Sequence, residues 1–381
     1  MIKVLHLISG GDSGGAKTHI FSLMKGFANK LDAKIICFMD GNFYQEAKEL
    51  GINIEVLEQR SRFDMKPMKE IIHEINSQGY DLVHCHGARA NFNALFIRKS
   101  ISVPMITTLH SDYLLDFKDS FIKNKVFTPL NVYALKKFPF YIAITKKFCN
   151  MLIERGFQEE NIFVAYNGID MEKQEKKVSK EEFLGRYNLL PIKDRLLFVF
   201  AARLDLVKDH ITLLKAIHLY QDKLGRCHFL LAGTGAEEDK LKHYVMDNGL
   251  EDLVSFLGQV NDPFSLFKAG DINMLTSQSE SFPYALLEGA KEKLPFIATD
   301  VGGISEMAGP NGAVLFQPQD VESLGKALVD FAENPEKRFE MGQSLYEYVK
   351  ENFSNEAMAL NHEKIYKEVL ERTGGQNASY R

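Results

Sequence analysis

Short, β-rich apolar runs alternate with longer amphipathic stretches along nearly the whole chain. In the first half the pattern predicts strands at 4–9, 34–38, 52–57, 82–84, 105–109, 141–144 and 162–165, with helices such as 16–29, 68–77 and 88–99 between them. The second half repeats the rhythm, with strands at 196–201, 228–231, 254–256, 272–275, 295–298 and 313–315. Many of these runs are apolar throughout rather than alternating, which suits strands buried on both faces. The order predicts an α/β fold with parallel sheets and right-handed crossovers.

The stretch 171–180, MEKQEKKVSK, interrupts the rhythm; it is polar and charged and reads as a boundary. It sets an N-terminal domain over 1–170, a linker over 171–190 and a C-terminal domain over 191–354. From Pro335 the pattern is helical almost to the end, with a frayed tail at 373–381. Open α/β sheets bind ligands beyond the carboxyl ends of their strands, so a functional cleft is expected there, between the two halves.

Composition narrows the classes. A length of 381 residues fits two domains. A net charge of −5 argues against a nucleic-acid binder, which would carry a basic excess. Cys37, Cys85, Cys149 and Cys227 form no CxxC pair, so they read as small hydrophobes in a reducing compartment. The N-terminal apolar run is too short for a signal peptide, and no stretch approaches transmembrane length. A cytoplasmic protein is expected. One segment departs from the overall charge: 117–147 carries Lys118, Lys123, Lys125, Lys136, Lys137, Lys146 and Lys147 against Asp119 alone, interleaved with Phe121, Phe127, Tyr133 and Phe138. Such a surface can rest on anionic lipid. A solvated helix face, or a patch holding an acidic soluble acceptor, are the alternatives.

The turn Gly10-Gly11-Asp12-Ser13-Gly14-Gly15 follows a strand and opens a helix, where backbone N–H groups and the helix dipole favour an anion. An ordinary flexible turn is the alternative. The glycines do not fit the dinucleotide fingerprint, and the near P-loop ending in Ala16-Lys17-Thr18 has Ala where Gly belongs. His84 and His86 straddle Cys85 and face the same way, but with no third ligand nearby in sequence they are assigned to packing. His110 follows the strand 105–109, at a strand end where polar site groups stand.

In the second half Arg203 and Lys208 follow the strand 196–201; a planar fork and a point charge together suit a diphosphate. Glu280 stands in the loop ahead of a helix that starts near Pro283 and Glu288 stands within that helix, whose entry Ser281-Phe282-Pro283-Tyr284 offers unpaired N–H groups. Two carboxylates there can accept hydrogen bonds from two hydroxylated rings, or can serve as helix capping and surface charge. Gly233-Thr234-Gly235 and Gly258-Gln259-Val260 each follow a strand, where a flat base can lie against backbone.

Taken together, these motifs resemble glycosyltransferase family 4, the retaining enzymes of the GT-B fold, across nearly the whole chain. The most specific parts are Arg203 with Lys208 and the pair Glu280 and Glu288 in ESFPYALLEGA; Gly14-Gly15-Ala16, His110-Ser111-Asp112 and Asn167-Gly168-Ile169-Asp170 are further landmarks. The resemblance implies two Rossmann-like domains facing across a cleft, with the last helix, 355–381, crossing back to the N-terminal domain. It implies a nucleotide-sugar donor, with a uridine diphosphate sugar as the default. Arg203 and Lys208 would bind the donor diphosphate, Glu280 the transferred sugar and Glu288 the ribose. Gly14 and Gly15 would approach the donor, His110 would stand beside the sugar, and Gly233, Gln259 and Val260 would frame the base. Three positions depart from the usual family pattern: Ala202 for Gly, Lys208-Asp209 for Lys-Gly, and Ser281-Phe282-Pro283 for Gly-Phe-Gly. With no DxD-type acidic pair in a suitable loop, catalysis is expected to need neither metal nor cofactor. The acceptor is not legible; one of cell-surface polysaccharide or glycolipid synthesis, including a lipid-linked one, fits the membrane reading. A GT-B sugar-nucleotide epimerase and a non-catalytic nucleotide-sugar binder are the other classes.

Overall fold

The computed structural model describes residues 1–11, 14–28, 30–61, 63–114, 121–172 and 177–374, with only the backbone at 121–124. The chain divides into two compact units: Met1–Gly168 with Asn355–Arg381, and Ile169–Ser354.

The first unit carries a parallel sheet of β1 (Lys3–Ile8), β2 (Asp32–Cys37), β3 (Ile54–Val56), β4 (Leu82–His86), β5 (Met105–Leu109), β6 (Phe140–Ala143) and β7 (Ile162–Val164), in the order β3-β2-β1-β4-β5-β6-β7. The second carries β8 (Leu196–Ala201), β9 (Cys227–Ala232), β10 (Val254–Gly258), β11 (Ile272–Leu275), β12 (Phe296–Thr299) and β13 (Ala313–Phe316), in the order β10-β9-β8-β11-β12-β13. Both orders reverse direction once, between β1 and β4 and between β8 and β11. Open α/β sheets bind ligands at such switch points.

Apolar side chains on both faces explain why the strand runs do not alternate. On β8 Leu197 and Val199 are buried in one core cluster, and Phe198 and Phe200, which alternate with them, are buried as well; on β4 Leu82 lies in one cluster of the first unit and Val83 in another. Burying each such side chain contributes about 1.5–3 kcal/mol. The helix Asn355–Gly374 belongs to the first unit and seats Met358, Ile365, Tyr366 and Val369 against Leu23 and Phe27. The buried hydroxyl of Tyr366 also meets Nδ1 of His84 at 2.7 Å, tying this helix to β4.

The stretch 171–190 is not all linker. Lys180–Arg186 is helical, capped by Ser179, and buries Phe183 and Leu184 in the second unit. The charges around those two apolar residues conceal the helix in the sequence. Cys37, Cys85 and Cys227 are buried, and all four cysteines are free thiols. Among the described residues no helix is long and apolar enough to cross a membrane.

Candidate functional site

At the switch point of the second sheet, the loop after β8 holds Arg203 and Lys208, and the loop after β11 holds Glu280. Asp205 shapes the first loop: its Oδ1 accepts the backbone N–H groups of Val207 and Lys208, both at 3.1 Å, while its other oxygen meets the Arg203 guanidinium at 3.0 Å. Sequence reasoning missed this residue, although an Asp two positions before a turn is a recognisable turn signal. Lys208 lies 2.5 Å from Oε1 of Glu280, which also accepts from the Ser277 hydroxyl at 2.7 Å. The Lys208 and Glu280 side chains are 19% and 9% exposed, whereas Arg203 is 78% exposed. One cation is therefore fixed and the other can swing toward a ligand.

The family departure at Asp209 has a physical reading. Asp209 takes the left-handed backbone conformation, φ 51°, that a glycine adopts freely and that Asp tolerates better than most residues. Its carboxylate accepts from the Thr212 hydroxyl at 2.9 Å, and the Thr276 hydroxyl donates to its carbonyl at 2.8 Å. The two loops are thereby stitched together.

Two glycines make the close packing possible. A Cβ on Gly233 would stand 1.9 Å from the carbonyl oxygen of Ala202, beside Arg203. Gly302, with φ 57°, would place a Cβ 1.8 Å from the carbonyl oxygen of Glu280. Gly303 then donates its N–H to Ser281 at 2.8 Å, so the turn after β12 braces the Glu280 loop. Val301-Gly302-Gly303 was not singled out in the sequence; its only signal is a glycine pair after a strand.

The helix Tyr284–Lys291 begins after Pro283, and no side chain caps its N-terminus. Its Glu288 is mostly buried and has neither ion pair nor hydrogen bond among the described residues; burial pushes its carboxyl up to about 7. Such a group gains from a ligand that supplies hydroxyl donors. Gln259 is exposed at the end of β10, and Val260 packs onto the core. The Phe282 ring is 2% exposed and packs on Phe353 at 5.2 Å, so its side chain belongs to the core and only its backbone can face a ligand.

In the first unit Gly14 precedes the helix Gly15–Phe27, with φ 61° and no capping side chain. Lys17 is paired with both carboxylate oxygens of Glu46 at 2.9 and 2.7 Å, which removes the residual P-loop reading. Asp112 is held by Arg155 through two bonds of 2.6 and 2.8 Å, and this pairing keeps its carboxyl below the usual range. It supports the loop carrying His110 rather than offering a free charge.

The expectation that His84 and His86 have no third ligand is corrected. The fold gathers His6, His19, His84, His86, His110 and His362, and all but the half-buried His110 are buried. Burial holds His6 near 3, His110 and His362 near 4, and the other three well below the ordinary value, and neighbouring imidazoles add to it at every ring but His362. All six are therefore neutral at neutral pH. His86 and His110 line a cavity of about 270 Å³ at the ends of β4 and β5.

The family model for "Glycosyl transferases group 1" matches residues 186–348, and that for "Glycosyltransferase Family 4" matches 13–173. The chain is 24% identical over 329 residues to N-acetyl-alpha-D-glucosaminyl L-malate synthase of Bacillus anthracis, covering 84% of each. It is 24% identical over 273 residues to the UDP-Gal:alpha-D-GlcNAc-diphosphoundecaprenol alpha-1,3-galactosyltransferase of Escherichia coli, covering 70% of each. Among solved structures, Alr3699/HepE of Anabaena, in complex with UDP, superposes with a TM-score of 0.81 at 20% identity, covering 96% of this chain and 100% of that one. The fold is GT-B.

Proposed function

The chain belongs to the group 1, family 4 glycosyltransferases, and from that premise we propose that it is a retaining, metal-independent enzyme that moves a sugar from a uridine diphosphate sugar to an acceptor of cell-surface polysaccharide or glycolipid synthesis. That nucleotide sugars are its donors follows from the family; the base, the stereochemistry and the acceptor are the proposal.

The pairing of Lys208 with Glu280 carries this reading. A nucleotide sugar is anionic at its diphosphate and rich in hydroxyls at its sugar, one bond apart. A cation and a hydroxyl-accepting carboxylate 2.5 Å from each other match that junction. Arg203 and Lys208 then stabilise the charge that develops on the departing diphosphate as the glycosidic bond to it breaks. The uncapped start of the helix at Tyr284 adds backbone dipoles of the same sign, so these groups do what a magnesium ion does elsewhere. Glu280 takes a sugar hydroxyl and Glu288 the ribose hydroxyls. Gly233 and Gly258 let backbone approach a flat base, with Gln259 beside it. In the first unit, Gly14, Gly15 and His110 are assigned to the sugar end of the donor. The UDP of the Anabaena structure supports the choice of base. Titration of UDP into the wild type and into Arg203→Ala tests the donor assignment; equal affinities would refute it.

Contact with anionic lipid is the second part of the proposal. Lys125, Lys136 and Lys137 are exposed alongside Val126 and Tyr133, which are 49% and 57% exposed. Phe138, by contrast, is buried and belongs to the core. Lys118 and Asp119 lie outside the described residues, as do the side chains of Phe121 and Lys123. The diphosphoundecaprenol acceptor of the Escherichia coli relative supports a lipid-linked acceptor.

A further inference from the structure

The histidine cluster of the first unit is larger than sugar transfer requires. A buried imbalance of ring nitrogens runs through it. The Nε2 atoms of His6, His19 and His362 have no hydrogen-bond partner among the described residues. A buried polar atom without a partner calls for an occupant.

Two sets of three histidines bring ligand nitrogens within 4.8 Å of one another: His6, His84 and His86, and His19, His86 and His110. The deeper set is already committed, because His84 spends both ring nitrogens, on the Tyr366 hydroxyl and the Thr108 hydroxyl, each at 2.7 Å. The other set is not. Asn167 Oδ1 can only accept, so His19 Nδ1 donates to it at 2.8 Å and His19 Nε2 keeps a bare lone pair, buried and unpartnered. His86 Nε2 lies 3.0 Å from His6 Nδ1, and in the tautomer in which His86 donates there its Nδ1 keeps a lone pair too. Both are the arrangement of metal-bound histidines, in which the second ring nitrogen is anchored by an outer partner.

Spacing points the same way. His86 Nδ1 and His110 Nε2 are 3.3 Å apart. Two imidazole nitrogens bound tetrahedrally at about 2.0–2.1 Å stand about 3.3–3.4 Å from each other. The cavity beside His86 and His110 provides an entry path and room for a fourth, non-protein ligand.

We propose that His19, His86 and His110 bind a divalent transition ion of the zinc class, with the open coordination position on the cavity. Neutral imidazoles without a carboxylate or thiolate favour such ions over magnesium or calcium. Binding takes up the His110 nitrogen that otherwise shares a hydrogen bond with His86. The site stands whether or not the chain transfers a sugar, since its test reads metal binding directly.

The full-length protein, stripped of metal with a chelator and then freed of it, is titrated with cobalt(II) and followed by visible absorption. Zinc is then added against a chromophoric chelator. The expected result is one equivalent of cobalt with a tetrahedral spectrum, displaced by zinc. Asn167→Ala is expected to weaken zinc about 10- to 100-fold. His19→Gln and His110→Gln are expected to abolish the tetrahedral spectrum, while His362→Gln leaves it unchanged. His110 is only half-buried, so its variant tests the site even if His19→Gln fails to fold. An octahedral spectrum in the wild type, or zinc affinity unchanged in His110→Gln, would overturn the proposal.

Discussion

Lys208 Nζ stands 2.5 Å from Oε1 of Glu280, joining two loops 72 residues apart at the switch point of the second sheet. Arg203, on the same loop as Lys208, meets Asp205 at 3.0 Å and is otherwise largely exposed. If these cations neutralise the departing diphosphate, Lys208→Ala and Arg203→Ala each raise the barrier by about 2–4 kcal/mol, or roughly 30- to 1000-fold in turnover. Lys208→Ala combined with Glu280→Gln is expected to cost less than the product of the single effects, because the two share one contact. Steady-state kinetics of the wild type, the three single variants and the double variant check this, and near-wild-type turnover of both cation variants would remove the assignment. Exhaustive chelation is expected to leave wild-type turnover intact; a loss that magnesium or manganese restores would contradict the role given to these cations.

Glu288 answers to pH. Its folded-state carboxyl titrates at about 7, against 4.5 for the free group, because burial disfavours the charge. The folded protein thus holds a proton that the unfolded chain releases, and stability falls as pH rises through that window, with the loss complete above pH 7. Glu288→Gln is expected to unfold like the wild type near pH 4.5 and to be more stable at pH 8, by no more than about 3 kcal/mol. Thermal unfolding across that range measures it; a constant difference at all pH values would show that burial is not the cause. The same carboxyl is expected to ionise when ribose hydroxyls arrive. Near pH 7, UDP binding should therefore release more protons in the wild type than in the variant by calorimetry, and Glu288→Ala should weaken UDP more than Glu280→Gln does.

Gly302 buttresses the Glu280 loop from behind. An alanine there meets the Glu280 carbonyl at 1.8 Å and must also hold φ at 57°. The loop has to move, and a displacement of about 1 Å in a positioned group costs roughly 100-fold in rate. Gly302→Ala is expected to fold, by circular dichroism, yet to lose about that much turnover. Wild-type kinetics would show that the Glu280 loop needs no such support.

Much of this architecture was legible because buried parallel strands advertise themselves. CHFLLA at β9 and LLFVFA at β8 have little polar interruption, and each of the thirteen strands among the described residues lies on an apolar run recognised in the sequence. The candidate loops were legible for a related reason: Arg203 and Lys208 follow the run at β8, and Glu280 follows the run at β11, as charged residues beyond apolar strands. What stayed hidden depends on long-range contacts. Phe282 reads only as part of a helix entry until its ring is found on Phe353, and Asp209 as a deviation until its backbone is seen to be left-handed. The six histidines are scattered from position 6 to 362, and only the sheet order β1-β4-β5, with two helices, brings them together. Local spacing could not reveal a third ligand that comes from another strand or helix.

The exposed lysines at 125, 136 and 137, with Tyr133 among them, predict binding to anionic bilayers, each lysine adding about 1 kcal/mol near the headgroups. In vesicle flotation the protein is expected to rise with anionic but not neutral vesicles, and reversing the charge of Lys125, Lys136 and Lys137 is expected to abolish this. A wild type that stays in the soluble fraction with anionic vesicles at low salt would direct attention to a soluble acceptor.

The central claim is that the chain breaks the bond between a sugar and a nucleoside diphosphate and keeps the anomeric configuration. It is tested most directly by incubating the protein with a panel of nucleotide sugars, without acceptor, and following slow hydrolysis by proton NMR. One uridine diphosphate sugar is expected to release its sugar first as the anomer it had in the donor, and Lys208→Ala is expected to abolish the release. Release of the opposite anomer, or conversion of one nucleotide sugar into another, would contradict the account.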